Sequence, residues 1–271
     1  MMNENWVLVL DVDGTLLDAQ ERIHAQDMEI LQRGVPGVDL VLNTGRPLYS
    51  LQRCFARNGL FADGLLPLAV VERNGAGVFA ARLQELHQAV FSVEIQKTVI
   101  RRIQEHPTVT LLLQSSRTEV AVQITPYGAR QAARFDFEPQ IWNGADDLPL
   151  VGKIMCISED LEALKQIYAE MEALPVERST SMAGIVEIGP GGVNKARGYQ
   201  KLAEQLGWQD RAWAAAGDGG NDLAMLRLAK RSFAPLSAPE RVRLAAGSVI
   251  DRQKNGLLRP LLSELGLWEE S

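Results

Sequence analysis

The sequence predicts an α/β protein whose core is a doubly wound, mainly parallel sheet with an inserted α+β domain. Three observations support this prediction. Strand-like and helix-like segments alternate at the start of the chain, closely spaced strand-like pairs replace them in the middle, and the first rhythm returns before the C-terminus. Alternation of strands and helices is typical of a parallel sheet that helices cover on both faces.

The first 80 residues contain three predicted strands and two predicted helices. The stretch "WVLVL" (Trp6–Leu10) is apolar throughout, as strands covered on both faces tend to be. Apolar residues at helical spacing predict one helix over Ala25–Arg33 and another that begins near Pro47, a residue suited to a first helical turn. The stretches "VDLVLN" and "PLAVVERNGA" are predicted to form the second and third strands.

From about Ala81 the pattern changes to that of an α+β insert. The strand-like stretches "TVTLLLQ" and "TEVAVQI" flank a three-residue gap with the spacing of a hairpin, and a strand in "KIMCIS", a helix over residues 161–173 and two further strands follow. After "GPGG" a helix that Gly207 ends, a strand in "AWAAAG" and another helix restore the first rhythm. We therefore predict a discontinuous core domain (residues 1–80 and 191–271) that is interrupted by an inserted domain (residues 81–190).

The composition excludes several classes of protein. A chain of 271 residues with 46% hydrophobic residues can form one or two domains with a sizeable core, and a net charge of −6 offers no basic surface to nucleic acid. The two cysteines, Cys54 and Cys156, are too few and too far apart for a disulfide framework or a thiolate zinc site. No signal peptide or membrane-spanning run is visible, so we expect a cytoplasmic monomer or homodimer.

Four short polar clusters fall at predicted strand ends or helix starts. They are "DVDGT" (residues 11–15), "TGR" (44–46), "NK" (194–195) and "GDGGND" (217–222). Open parallel sheets bind ligands outside the carboxyl ends of their strands. Three of the clusters are therefore expected along one edge of the sheet, and the fourth can join them from the start of a helix.

Bringing the carboxylates of Asp11, Asp13, Asp218 and Asp222 to one edge is costly. Two such charges 4 Å apart repel by about 4 kcal/mol at an effective dielectric constant near 20. Either some of these groups stay protonated or a cation lies among them, and an all-oxygen site without His or Cys favours Mg²⁺. Lys195, in a first helical turn, opposes the helix dipole, so a bound anion would explain its position.

A metal site does not by itself need both Asp11 and Asp13. One of these carboxylates is a candidate nucleophile that forms an aspartyl-phosphate, and the other is a candidate acid and base for the leaving alkoxide and for water. Thr44 supplies a hydroxyl donor, and the peptides of Gly45 and Gly219 can approach an oxyanion closely. The residues therefore indicate phosphoryl transfer.

The stretches "DVDGTLL", "NTGRP", "GVNK" and "GDGGNDLAML" resemble, in order, the four motifs of the haloacid dehalogenase superfamily. More narrowly, the chain resembles its Cof-like phosphatases, in which a large α/β cap interrupts a Rossmann-like core after the third strand. The stretch "ERNGA" is similar to the one that precedes this cap. The resemblance implies a Mg²⁺-dependent phosphatase that hydrolyses a small phosphorylated metabolite through an aspartyl-phosphate.

The resemblance also implies a role for each matching residue. Asp11 is the implied nucleophile and Asp13 the implied acid and base, while Asp11, the backbone carbonyl of Asp13, and Asp218 hold Mg²⁺. Asp222 is expected to support the metal or Lys195. The implied phosphate-binding residues are Thr44, Gly45, Lys195 and Asn221.

The inserted segment is expected to choose the substrate, because the phosphoryl group and its ion account for the core motifs. Candidate substrate contacts are Arg46 at the rim of the core and Arg117, Arg178, Ser181 and Met182 in loops of the insert. Each of these loop residues has a simpler interpretation as a solvated side chain, and Arg46 as a structural one. The sequence does not identify the phosphorylated substrate.

Two other functions compete with a phosphatase. A phosphomutase or phosphotransferase on the same core would return the phosphoryl group to a sugar instead of water. A non-catalytic protein that senses a sugar phosphate would have less need of both Asp11 and Asp13, and both are present.

Overall fold

The structure is a computed structural model that describes residues 5–61, 63–135, 137–144, 147–180 and 182–268. The strands are β1 (Trp6–Leu10), β2 (Val38–Asn43), β3 (Ala69–Glu72), β4 (Gly77–Ala80), β5 (Gln84–Gln88), β6 (Thr110–Gln114), β7 (Glu119–Gln123), β8 (Gln140–Ile141), β9 (Lys153–Ile157), β10 (Val176–Ser179), β11 (Ile185–Pro190), β12 (Trp213–Ala216), β13 (Arg231–Pro235) and β14 (Ser248–Ile250).

The helices are α1 (Ala25–Arg33), α2 (Leu48–Arg57), α3 (Val93–Gln104), α4 (Pro126–Arg134), α5 (Leu161–Glu170), α6 (Lys195–Leu206), α7 (Leu223–Leu228), α8 (Glu240–Arg243), α9 (Arg252–Asn255) and α10 (Leu258–Glu264). Among the described residues, none of the helices combines the length and the apolar composition that crossing a membrane requires.

The first sheet has the strand order β14-β13-β12-β1-β2-β3-β4-β5. The strands from β14 to β3 run parallel, and β4 and β5 continue the sheet as antiparallel neighbours. Apolar side chains of the central strands alternate between two clusters, one that packs against α1, α2 and α10 and one that packs against α6, α7 and α8. The predicted doubly wound, mainly parallel sheet is confirmed.

The second sheet has the order β10-β11-β9-β6-β7-β8 and is antiparallel except between β7 and β8. Its elements follow β5 in the chain and precede α6. One face packs against α3 and α5, while residues of the other face pack with α4 and with Tyr49 of the first sheet's helix α2. The second face is therefore the one turned towards the first sheet.

The first sheet extends beyond residue 80, the predicted end of the first part of the core domain. Strand β5 pairs with β4 and extends the first sheet, although residues 81–190 were assigned to the insert. The chain crosses to the second sheet only after Gln88, where the segment before α3 begins. On the other side, β11 ends the second sheet at Pro190, next to the predicted return at residue 191.

The C-terminal helices hold the loop that follows β1. The guanidinium of Arg252 at the start of α9 donates hydrogen bonds of 2.6 Å to the carbonyls of Thr15 and Leu17. The buried carboxylate of Asp27 on α1 accepts hydrogen bonds from the backbone N–H groups of Leu257 and Leu258, which lead into α10. The C-terminal helices thus hold the loop after β1 directly through Arg252 and hold helix α1 through Asp27.

Glu119 is buried where the second sheet faces the first. Only 4% of its surface is exposed, and it accepts a hydrogen bond of 2.5 Å from the Gln114 side chain. Burial raises the pKa of Glu119 to about 7, although the hydrogen bond from Gln114 opposes that change. This carboxyl group therefore makes folding sensitive to pH.

We expect the substitution Glu119→Gln to make stability less dependent on pH. Because folding raises the pKa from 4.5 to about 7, the stabilising proton is fully bound below the lower value, and its contribution is lost as the pH rises through the higher one. Between about pH 5 and pH 8, the free energy of unfolding of the wild type should fall by about 2–3 kcal/mol relative to that of the variant. Denaturant unfolding at the two pH values measures this difference.

Glu94, an exposed residue on α3, provides the matched control. Glu94→Gln should change the free energy of unfolding by less than about 0.5 kcal/mol at either pH. If the difference between wild type and Glu119→Gln is the same at both pH values, Glu119 does not carry this pH dependence.

Candidate active site

The first sheet brings the predicted clusters together at the carboxyl ends of its strands. Asp11 follows β1, Thr44 follows β2, and the loop that contains Asp218 follows β12. The backbone N–H of Asp11 still pairs with Ala216, so the sheet ladder itself sets the position of this aspartate. Lys195 joins them as the first residue of α6.

Lys195 is the centre of the cluster. It is 1% exposed, and its Nζ donates hydrogen bonds to Asp11 Oδ1 at 2.5 Å and to Asp222 Oδ1 at 2.6 Å. Burial by itself would lower the pKa of Lys195, but the two carboxylates raise it well above its usual value. The lysine is therefore a fixed positive charge between two buried aspartates.

Asp222 connects this lysine to the loop after β12. While Oδ1 accepts from Lys195, Oδ2 accepts hydrogen bonds from the backbone N–H groups of Asp218 at 3.1 Å and Gly219 at 2.8 Å. Both carboxylate oxygens are thus engaged within the protein. This arrangement favours the expected role of supporting Lys195 over a role as a direct metal ligand.

Asp11 and Asp218 have the properties of cation ligands. Asp11, Asp218 and Asp222 each offer a carboxylate oxygen within 4.8 Å of the others, and buried Asp11 Oδ2 has no hydrogen-bond partner. Burial raises the pKa of Asp11 well above its usual range, reinforced by Asp222 and Asp218 and opposed by Lys195. Burial and Asp222 raise the pKa of Asp218 to about 6. A hard divalent ion fits these all-oxygen donors.

Asp13 is held apart from these three carboxylates. Arg46 binds it through one edge of its guanidinium, with Nε at 2.9 and 3.0 Å from the two carboxylate oxygens and Nη2 at 2.6 Å from Oδ1. The same Nη2 donates to Glu21 at 2.7 Å. Arg46 is 5% exposed, so it is a buried anchor for Asp13 that also lines the cleft, rather than the rim contact predicted.

Glycine is required next to the acidic cluster. Gly14 has a φ of +79°, and a Cβ at this position would lie 2.1 Å from Asp218 Oδ2. Only a residue without a side chain lets the two loops approach this closely. Gly45 lies in the predicted phosphate-binding turn, where buried Thr44 accepts a hydrogen bond from the N–H of Arg46 and retains its own hydroxyl proton as a donor.

A cleft of about 280 Å³ opens between the two sheets at this cluster. From the first sheet it is lined by Asp11, Asp13, Gly14, Gly45, Arg46, Asp218, Gly219 and Asn221. From the segment of the second sheet it is lined by Phe135, Phe137, Lys153, Met155, Met182, Ile185 and Glu187. The site is therefore built from both sheets.

Two charged residues of the second sheet were missed by the sequence analysis. Lys153 on β9 and Glu187 on β11 form a buried ion pair, and Lys153 Nζ also donates to the Gly45 carbonyl at 2.8 Å. Glu187 further accepts from the Asn74 side chain at 2.9 Å, and Asn221 donates to Asn74 at 3.0 Å. The available signal was a single charged residue within each otherwise apolar strand, "KIMCI" and "IVEI".

The residues predicted to contact substrate from the insert have different positions. Arg117 is exposed in the β6–β7 hairpin and does not line the cleft, because the neighbouring Ser116 is the residue that turns inward to Glu72. Arg178 lies on β10 and not in a loop, and it stacks on Tyr168 and donates to its carbonyl. It does not line this cleft but lines a neighbouring cavity of about 190 Å³, which Lys195 and Asn221 also line. Met182 lines the cleft, and Ser181 lies outside the described residues.

Comparison with known proteins supplies the family. A family model described as haloacid dehalogenase-like hydrolase matches residues 8–259. The chain is 23% identical to a 5-amino-6-(5-phospho-D-ribitylamino)uracil phosphatase of Bacillus subtilis, over 87% of this chain and 89% of the relative. It is 27% identical to a pyridoxal phosphate phosphatase of Escherichia coli, over 90% and 92% of the two chains.

A solved structure supports the fold. The phosphatase BT1666 from Bacteroides thetaiotaomicron superposes with a TM-score of 0.80 at 20% sequence identity, over 99% of this chain and 98% of that one. The two sheets and their connection therefore have a known counterpart of nearly the same length.

Removal of the positive charge of Lys195 should destabilise the protein. Lys195→Met leaves Asp11 and Asp222 buried without their counter-charge, so we expect the free energy of unfolding in metal-free buffer to fall by about 3–5 kcal/mol. Lys201→Met, which removes a partly exposed lysine from the same helix, should cost less than about 1 kcal/mol. Urea unfolding of both variants measures the contrast, and equal losses would mean that Lys195 is not the electrostatic centre of the cluster.

Proposed function

This chain belongs to the haloacid dehalogenase-like hydrolases, and we propose that it is a Mg²⁺-dependent phosphatase that acts through an aspartyl-phosphate. The observation that carries this proposal is the contrast between two neighbouring aspartates in one cleft. Asp11 is buried, with one oxygen held by Lys195 and the other without a partner, whereas Asp13 is partly exposed and held by Arg46.

Asp11 is suited to act as the nucleophile. Lys195 fixes Oδ1, so the unpartnered Oδ2 is the oxygen left to attack phosphorus. As the new oxygen–phosphorus bond forms, the bond between phosphorus and the ester oxygen breaks, and the phosphoryl group is attached to Asp11. Thr44, Gly45, Lys195 and Asn221 are the candidate donors to the phosphoryl oxygens.

Asp13 is suited to move the protons. In the first step it donates a proton to the departing ester oxygen, and in the second it takes one from the water that attacks the phosphoryl group. Water then displaces Asp11, which releases inorganic phosphate and regenerates both carboxyl groups. The bidentate contact from Nε and Nη2 of Arg46 keeps the Asp13 carboxyl group in one orientation for both proton transfers.

Asp11, Asp218 and the backbone carbonyl of Asp13 would hold Mg²⁺, with Asp222 supporting them through Lys195 and the loop. When bound, the ion supplies positive charge that offsets the charge of the phosphoryl oxygens and the clustered carboxylates. The raised pKa values of Asp11 and Asp218 support this proposal, because both groups are destabilised in their charged forms without a cation.

We further propose that the second sheet acts as a cap over the site. About half of the residues that line the cleft come from its segment, and Lys153 fastens it to the Gly45 carbonyl of the phosphate-binding turn. Such a cover excludes water while the ester bond breaks. Relatives named for pyridoxal phosphate and for a ribitylaminouracil phosphate support a small phosphorylated metabolite as substrate. The buried free thiols of Cys54 and Cys156 suit the reducing cytoplasm predicted.

Activity should depend on Mg²⁺. We expect hydrolysis of 4-nitrophenyl phosphate to be lost in chelator and restored by Mg²⁺, and Asp218→Asn to raise the half-saturating Mg²⁺ concentration about 10-fold or more. Asp210→Asn, at an exposed position before β12, is the control and should leave that concentration unchanged. Full activity of the wild type in chelator would contradict the metal assignment.

Substitution of Asp11 and of Asp13 should block different steps of the reaction. Asp11→Asn should lose both turnover and phosphoenzyme, because an amide does not attack phosphorus usefully. Asp13→Asn should lower turnover about 10²–10⁴-fold but still form phosphoenzyme from 4-nitrophenyl phosphate, whose leaving group needs no proton. Rapid acid quench measures the phosphoenzyme, and release of inorganic phosphate in step with nitrophenolate distinguishes a hydrolase from a phosphotransferase. Wild-type turnover in Asp11→Asn would exclude this mechanism.

A further inference from the structure

We infer that the substrate carries a single flat, unsaturated ring next to its phosphate, rather than a polyhydroxylated sugar. The ring would lie on an apolar wall, which we define as Phe135, Phe137, Met155 and Ile185. This inference rests on the proposed function, because it names the substrate class of the same site.

The apolar wall is a continuous surface on the face of the second sheet that is turned towards the first. Phe137, Met155 and Ile185 are each about 5% exposed or less, and they pack in one cluster with Phe135. The rings of Phe135 and Phe137 have centroids 5.7 Å apart and planes tilted by 39°. Aromatic side chains in such an arrangement offer a favourable surface to a further ring.

The side of the cleft that the first sheet forms, opposite the apolar wall, consists of charged residues, glycines and Asn221. Asp11, Asp13 and Asp218 lie there with Arg46, and Lys195 is directly behind Asp11. The candidate donors to a phosphoryl group lie on this side, whereas Lys153, the lysine that lines the other side, is already bound to Glu187 and to the Gly45 carbonyl. The remainder of the molecule must therefore extend across the cleft to the apolar wall.

The polar residues beside the apolar wall already have partners within the protein. Lys153 pairs with Glu187 and with the Gly45 carbonyl, and Glu187 accepts hydrogen bonds from Asn74 at 2.9 Å and Ser179 at 3.3 Å. A sugar placed here would give up hydrogen bonds to water and, from the described residues, gain few in return. An apolar ring that moves from water to this wall loses no such hydrogen bonds, and its removal from water is favourable.

The size of the cleft limits the ring. Its volume of about 280 Å³ lies just below the range of about 300–1,000 Å³ that small-molecule sites occupy. A phosphoryl group and one ring suit such a space. The substrate class is thus a phosphomonoester of one aromatic or heteroaromatic ring.

Three esters of primary alcohols test this class: benzyl phosphate, cyclohexylmethyl phosphate and glucose 6-phosphate. Because all three leaving groups are primary alkoxides, differences in kcat/KM report chiefly the group that contacts the apolar wall. We expect benzyl phosphate to exceed glucose 6-phosphate by about 10-fold or more, with cyclohexylmethyl phosphate between them. A value for glucose 6-phosphate equal to or above that of benzyl phosphate would overturn the inference.

Variants locate the preference. Phe135→Ala should lower the ratio of the kcat/KM values for benzyl phosphate and glucose 6-phosphate by about 10-fold. Phe135 is partly exposed, so its loss costs the core less than that of Phe137. Leu161→Ala, a half-exposed position at the start of α5, is the matched control and should leave the ratio unchanged. An unchanged ratio in Phe135→Ala would place the preference elsewhere and refute the assignment to this wall.

Binding of non-hydrolysable phosphonates separates this inference from the proposed function. Benzylphosphonate should bind wild type about 10-fold more tightly than the phosphonate analogue of glucose 6-phosphate in calorimetry, and Phe135→Ala should abolish the difference. If no ester is hydrolysed but this difference is found, the proposed function fails and the ring preference stands. Equal binding of the two phosphonates would refute the ring preference whatever the turnover.

Discussion

The ion pairs of Lys195 with Asp11 and Asp222 are the interaction on which the site depends. Burying two carboxylates near a third is unfavourable unless a positive charge lies among them, and the first residue of α6 provides it. The helix begins at this residue because Asn194 is its N-cap and accepts a hydrogen bond from the N–H of Arg197. Gly75, at a φ of +105°, lets its turn approach the helix start, since a Cβ there would lie 2.3 Å from the Asn194 carbonyl. The turn after β3 and the start of α6 are thus shaped to fit each other.

Carboxylates at two further positions around the cleft are also neutralised by a buried cationic side chain. Arg46 neutralises Asp13 and Glu21 on the side of the first sheet, and Lys153 neutralises Glu187 on the side of the second. Each pair also orients its carboxylate, because buried ion pairs are stable only when their geometry and remaining hydrogen bonds are good. Asp11 Oδ2 differs from these groups in being buried without a partner. An unsatisfied oxygen of this kind is costly for folding, and the reacting or ion-binding role that we propose for it would account for that cost.

The sequence was sufficient to predict the positions of the residues at strand ends. It was insufficient for residues whose position depends on strand pairing. Asp11, Thr44 and Asp218 follow parallel strands, and such strand ends share one edge whatever the loops do. Lys153 and Glu187 meet only through the register of β9 and β11, which no local pattern specifies. Strand β5 lies within the segment predicted as the insert, and its sequence "QELHQ" has no apolar strand pattern, so only its pairing with β4 identifies it as an edge strand. Arg117 was a plausible contact by charge, but the hairpin turns Ser116 inward instead.

Strain in the backbone connects the two sides of the cleft. Arg73 and Asn74 both have positive φ values, 49° and 57°. Asparagine tolerates this region, whereas for an arginine it is unfavourable unless surrounding contacts hold the residue. Arg73 is held by Glu72, Gln88, Ser116 and the Gln114 carbonyl, four contacts that reach both sheets. Asn74 is thereby placed between Asn221 of the acidic loop and Glu187 of the second sheet. These contacts offset the cost of the turn, and they hold Asn74 where it links the first-sheet side of the cleft to the second-sheet side.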